Sequence, residues 1–247
     1  LVDVNKKIQF SLDMFSCCRN NVTGTSDILA NTWNHFAATY DGIIMRIYVN
    51  GALEGSETRT VGGTNGSDSP LYIGNQIFIT AGDVFTVLID ELGIYSGVLS
   101  ASEIQSIYNA GSAGKCKIED SVCTVSPSNI VAWWDADDIG TGPFGNLTSV
   151  DVSGNGNYGE IGDANANPNP GSLPGIVSGK VGNAFDFNQE FSHVSSSGFN
   201  PGGIVGMNAN SGSIEIWAKP RWNGNDGLDH GLFQTTNNDA SPDQFSA

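Results

Sequence analysis

The chemistry this chain can offer is carried mainly by oxygen. Asp135, Asp137 and Asp138 crowd into WWDADD, Asp90 and Glu91 are adjacent in IDELG, and Asp151 opens DVSGNGNYG. Carboxylate, amide and backbone oxygens in turns are the ligands of hard cations. Asp90, Asp135, Asp137 and Asp138 are therefore the candidate ligands of a structural calcium ion, with Asp151 and Asn155 weaker ones. The competing reading of the Gly-rich turn is that Asp151, Ser153 and Asn155 only make Asx-type turn bonds.

Catalysis reads as absent. Glycoside hydrolysis needs two carboxylates facing each other across a cleft. SIEIWAKP carries a single acid, Glu215, and strand alternation in IDELG puts Asp90 and Glu91 on opposite faces. The three His are isolated in sequence, and His35 falls inside an apolar strand pattern. No Ser-His-Asp constellation is legible, and DVSGNGNYG does not lie between a strand and a long helix as a phosphate-cradling loop would.

The four cysteines divide into an adjacent pair, Cys17 and Cys18, and a pair flanking a short polar loop, Cys116 and Cys123. The second pair is placed to form a local disulfide, whereas neighbouring cysteines bridge each other only with strain. A metal cluster is the alternative, but the spacings match no common zinc pattern. Oxidised cysteines imply an extracellular setting. Asn21, Asn65 and Asn146 begin N-x-S/T sequons and are candidate glycosylation sites. Trp222 in RWNGND and Tyr158 in GNYGE lie in loop-like stretches and are the candidate sugar-contacting aromatics.

Composition narrows the class. Formal net charge is −16, with only 10 Lys plus Arg, so nucleic acid is excluded as a partner on electrostatic grounds. No segment is apolar for long enough to span a bilayer as a helix. The chain does not begin with Met or a basic, apolar leader, so we read it as a processed chain or an excerpt. The 32 Gly and the lack of long helical patterns favour many short strands joined by turns.

Alternation supplies those strands. In WNHFAATY, Trp33, His35, Ala37 and Thr39 oppose Asn34, Phe36, Ala38 and Tyr40. Asp41-Gly42 and Asn50-Gly51 then mark hairpin turns on either side of a returning strand, 43–49. PLYIG, VLIDELGIY, IVAWW and SIEIWAKP are further strands, the last with Ile214, Ile216 and Ala218 opposing Glu215 and Trp217. One short helix is expected near Ser100–Tyr108. Ser100 and Glu103 form a capping box, Leu99 and Ile104 a hydrophobic staple, and Gly111 the stop.

WNHFAATYDG, MRIYVNGAL, PLYIGN and LIDELGIYSGVLSASEIQSIYNAG resemble, in order, the second half of a laminin-G-like (concanavalin-A-like) domain. WWDADD, DVSGNGNYGE, GKVGNAFDFN and SIEIWAKP resemble its first half. The resemblance implies an all-β, antiparallel concanavalin-like jelly-roll sandwich in which 1–114 is the closing half, 115–129 a connector and 130–247 the opening half. It also implies that the opening and closing strands are neighbours, so that Asp90 and the Asp135–Asp138 cluster can converge on calcium. Hydrolases of this superfamily carry E-x-D-x-x-E on one strand, and no such stretch exists here. The expected function is thus a non-catalytic, extracellular structural or adhesive repeat, with a carbohydrate-binding module of surface glycans as the alternative. Read end to start, DQFSA runs into LVDVNKKIQFSL as an uninterrupted strand pair. From this we expect copies to associate head to tail, each half completing its sandwich with the neighbour's half rather than folding together as a circular permutant.

Overall fold

The structure is a computed structural model that describes residues 7–13, 19–59, 71–74, 86–116, 123–142, 147–162, 173–188, 192–196, 204–207, 210–222 and 232–235. Cys17, Cys18, Asn65, Asn146 and the terminal stretches 1–6 and 236–247 lie outside the described residues. The early part of the chain supplies β1 (Gln9–Asp13), β2 (Arg19–Thr23), β3 (Asn34–Tyr40), β4 (Ile44–Val49), β5 (Ala52–Thr58), β6 (Leu71–Gly74), β7 (Val87–Tyr95) and helix α1 (Ala101–Ala110). Beyond the connector come β8 (Ile130–Trp134), β9 (Ile139–Thr141), β10 (Leu147–Ser149), β11 (Gly159–Ile161), β12 (Gly175–Ser178), β13 (Asn183–Phe187), β14 (His193–Ser195), β15 (Gly212–Pro220) and β16 (Phe233–Thr235).

Among the described residues these strands make two layers and a hairpin. The larger sheet runs β12-β13-β7-β15-β3-β4-β5, with β8 also on β7; the smaller runs β16-β6-β14-β11-β10-β9; β1 and β2 pair with each other. The named strand pairings are antiparallel, as the hairpin turns require. This is the antiparallel jelly-roll sandwich, with one short helix, that the resemblance implies.

The centre of the larger sheet is buried on both faces, so β3 and β7 are buried throughout, while the edge strands β5 and β12 stay largely exposed. Its inner face, with Phe36, Ile47, Ile89, Leu92, Ile94, Trp134 and Ile216, packs against Ile73, Ile161 and Val194 of the smaller sheet. Ile214, Ile216 and Ala218 lie on this side, as alternation in β15 predicts. Each such fully buried aliphatic side chain contributes roughly 1.5–3 kcal/mol. The outer face, with Ala37, Tyr48 and Tyr95, is covered by Leu99, Ile104 and Ile107 of the α1 segment.

Helix α1 begins as its sequence dictates. The Ser100 hydroxyl accepts from the Glu103 backbone N–H, and the Glu103 carboxylate accepts from the Ser100 N–H. The helix ends at Gly111, whose φ of 57° lies in the left-handed region that Gly tolerates.

Strand β7 corrects one expectation. Its partners β13, β15 and β8 all come from beyond residue 130 of the same chain. Described strands from 1–114 and from 130–247 therefore pair with each other within one chain, in contrast to the expected completion by a neighbour's half. The physical reason is the outer flank of β7. It offers backbone groups to β13 along Val87–Ile89 and to β8 along Leu92–Tyr95, and the connector lets residues 130–134 reach it.

Candidate functional site

Between those two partners, Asp90 and Glu91 have no neighbouring strand on one flank, and here β7 bulges. Glu215 lies opposite Gly93 but Trp217 opposite Asp90, so Glu91 and Leu92 face the single residue Ile216. Glu91 takes a φ of 56°, costly for a side chain with a Cβ. The bulge breaks the alternation assumed for IDELG. Asp90 and Glu91 are not on opposite faces: both carboxylates reach the α1 side of the sheet, Asp90 across from Trp217 and Glu91 onto Lys115.

A buried polar network occupies that side. Glu215 is fully buried and accepts from Lys115 Nζ at 2.7 Å and from the Tyr95 hydroxyl at 3.1 Å. His35 Nε2 lies 3.1 Å from its other oxygen. Lys115 Nζ also donates to the Glu91 carbonyl at 2.8 Å, stands 3.2 Å from Glu91 Oε2, and sits 4.9 Å above the Trp133 ring. His35 and Tyr108 flank Trp217, with ring centroids 5.2 and 5.8 Å away, and the Lys180 ammonium lies 4.5 Å over its face. At Gly93 a Cβ would collide with Glu215 Oε1 and the Tyr95 hydroxyl, so glycine is what lets this carboxylate lie against the strand.

The charges of this network are set by opposing causes. Burial pushes the Glu215 carboxyl up, but the Lys115 ammonium and then His35 outweigh it and hold it at about 2. Burial raises the Glu91 carboxyl, against the pull of Lys115. Burial alone would lower the Lys115 ammonium; Glu215 and Glu91 reverse that and raise it. The Tyr95 phenol is pushed well above its ordinary value by burial and by Glu215. The arrangement holds one cation between two anions, Lys115 touching both Glu91 and Glu215.

The candidate calcium ligands come together in a different way from a cation cage. Asp90 Oδ2 accepts the backbone N–H groups of Lys180 and Val181 at 2.9 Å, and Asp137 Oδ1 accepts that of Asn183 at 2.8 Å. Both acids thus cap the β12–β13 turn, where Gly182, at φ 55°, makes room for the Asp137 carboxylate. Burial raises the Asp90 carboxyl to about 8 against those two N–H bonds. Asp135 accepts from the N–H groups of Asp137 and Asp138. Asp151 spends both oxygens on the N–H groups of Trp133, Ser153 and Asn157. Among the described residues no group of three or more His, Cys, Asp or Glu is placed to hold a metal ion. As the described residues place them, these acids serve as caps of backbone turns.

The remaining candidates fall in several places. Cys116 and Cys123 form the expected disulfide, closing a small loop beside Lys115. Asn21 is exposed on β2, as an acceptor must be. Tyr158 is half-buried beside the Gly-rich turn. Trp222 is corrected: it is not a loop aromatic presented to a ligand but a buried member of the main core, 9% exposed, just past the end of β15. The reading by motifs missed Lys115, His35 and Tyr95 as partners of Glu215. Alternation did put His35 and Glu215 each on the face away from the Ile-rich side, but nothing local paired β3 with β15 or brought the connector across them.

Comparison with known proteins adds one positive finding. Residues 1–105 match the laminin-G family model described as the concanavalin A-like lectin/glucanases superfamily. No curated protein and no solved structure matches the chain.

Proposed function

We propose that this chain is a non-catalytic module of adhesive or carbohydrate-binding type that acts outside the cell. The match of residues 1–105 to a superfamily of lectins and glucanases supports the class. The observation that carries the non-catalytic part is the state of the carboxylates on the α1 side. Glu215 and Glu91 are buried and bound to Lys115, so neither faces a substrate. No described helix is long and apolar enough to cross a membrane. Head-to-tail association of copies belongs to the same reading, motivated by the order of the family motifs. It takes the form of contacts between complete sandwiches, because the halves of one chain already pair with each other.

A glycan array combined with sedimentation, each in calcium and in chelator, tests this reading. Self-association without glycan binding supports the adhesive form. Glycan binding lost in Tyr158→Ala supports the carbohydrate-binding form. A monomer that binds no glycan, or release of reducing ends from laminarin, xylan or alginate, overturns the proposal. Calcium is read in the same samples: a melting midpoint raised by the ion supports a site at Asp90 and Asp137, and equal midpoints leave these acids as turn caps.

A further inference from the structure

The binding reading makes no use of the Lys115 amine, which is buried against two carboxylates. Its side chain is 1% exposed, and those of Glu91 and Glu215 are 2% and 0% exposed. Nζ touches a carboxylate oxygen of each. On one side the ammonium lies against the Trp133 ring. The two acids are not equivalent. Glu215 accepts from His35, Tyr95 and Lys115, which fixes it as a carboxylate. Glu91 Oε1 is buried with no hydrogen-bond partner among the described residues.

We propose that Lys115 and Glu91 condense after folding into an intrachain amide, with Glu215 relaying the protons. One proton passes from the Lys115 ammonium by way of Glu215 to Glu91, the acid that burial raises, and the freed Nζ lone pair attacks the Cδ of that neutral carboxyl. The C–N bond forms as one Cδ–O bond breaks. The departing oxygen leaves as water with two of the three ammonium protons, the second also passed through Glu215, and the third stays on the amide nitrogen. Glu215 ends as it began, and no oxidant or other reactant is needed. Two physical terms drive the step. Fixed contact replaces a bimolecular encounter, an advantage of on the order of 10⁵–10⁸ M in effective concentration. A neutral amide also removes the buried Lys115–Glu91 pair, whose desolvation is expensive, while His35 and Tyr95 stay as partners of Glu215 and the product water escapes to bulk.

Intact mass of the folded, then reduced and denatured, protein tests this. We expect a deficit of one water relative to the sequence, and a proteolytic fragment joining the peptide of Glu91 to that of Lys115. Lys115→Arg keeps the cation and its ion pairs but removes the nucleophile, so it should fold and show no deficit. Folded Glu215→Gln should form the link much more slowly. Full mass in the wild-type protein, a deficit that persists in Lys115→Arg, or a fragment joining Lys115 to Glu215 would each overturn the proposal. Unchanged kinetics in Glu215→Gln would overturn the relay. The wild-type mass and fragment map keep the test decisive even where a Glu215 variant does not fold.

Discussion

Glu54 on β5 shows how a single acid can hold a loop to a sheet. Its Oε2 accepts the backbone N–H groups of Thr25 and Ser26, each at 2.7 Å, and its carboxylate also receives both hydroxyls. Burial opposes its ionisation, but the Ser26 and Thr25 bonds win and leave the carboxyl below its ordinary value. A carboxyl lowered on folding stabilises above its unfolded pKa, and that stability is lost as pH falls through the folded value. We therefore expect Glu54→Gln to lose roughly 1 kcal/mol at neutral pH, discounted for partial exposure. The gap to wild type should close as the buffer falls below the ordinary carboxylate range. Urea melts at both pH values check this; a gap that does not narrow in acid refutes it. Acids were the easiest residues to find in the sequence, yet their roles were not. Asp151 could be read as a turn former because its partners are close in sequence, Ser153 among them. Asp90 caps residues 180 and 181, a pairing no local pattern encodes.

Elements were legible where their signals are local. The capping box at Ser100 and Glu103 named the start of α1 correctly, and alternation sorted β3 and β15 onto their true faces. Alternation failed in β7, where Asp90 and Glu91 sit at the fork between β13 and β8 and the strand bulges. A bulge answers to neighbours arriving from distant sequence, so IDELG alone does not disclose it. The local signal in α1 can be measured. Removing the cap in Ser100→Ala exposes the first-turn N–H groups and should destabilise the protein by about 1 kcal/mol. Because Ile104 and Ile107 still pack under the sheet, the helix should persist. Equilibrium unfolding followed by far-ultraviolet circular dichroism reads both effects, and an unchanged midpoint would show that the box contributes nothing.

At the scale of the molecule, the order of the motifs reads as two halves of one sandwich, which does not say how they meet. That answer lies in pairings such as Ile214 with Ile94 and Ala132 with Ile94, which join residues far apart in the chain. Since β7 lies between β15 on one side and β13 and β8 on the other, a fragment of 1–114 would leave both edges of β7 unpaired and its apolar inner face uncovered. We expect fragments 1–114 and 130–247 to be unfolded or aggregated alone and to give a single cooperative transition when co-expressed. A cooperative melt from 1–114 by itself would refute the interleaved sheet.

The position of β7 also fixes when folding can happen. During synthesis this central strand emerges early, but its long partner β15 ends at Pro220. At roughly 5–20 residues per second, β7 and its apolar face wait on the order of ten seconds before the sheet can close. Helix α1 can form locally in that interval but has no complete sheet to cover. The chain therefore passes through a long-lived, sticky nascent state, which calls for a holding chaperone. Its contact-distant topology further implies slow refolding from denaturant, because every pairing that buries β7 must first close a long loop.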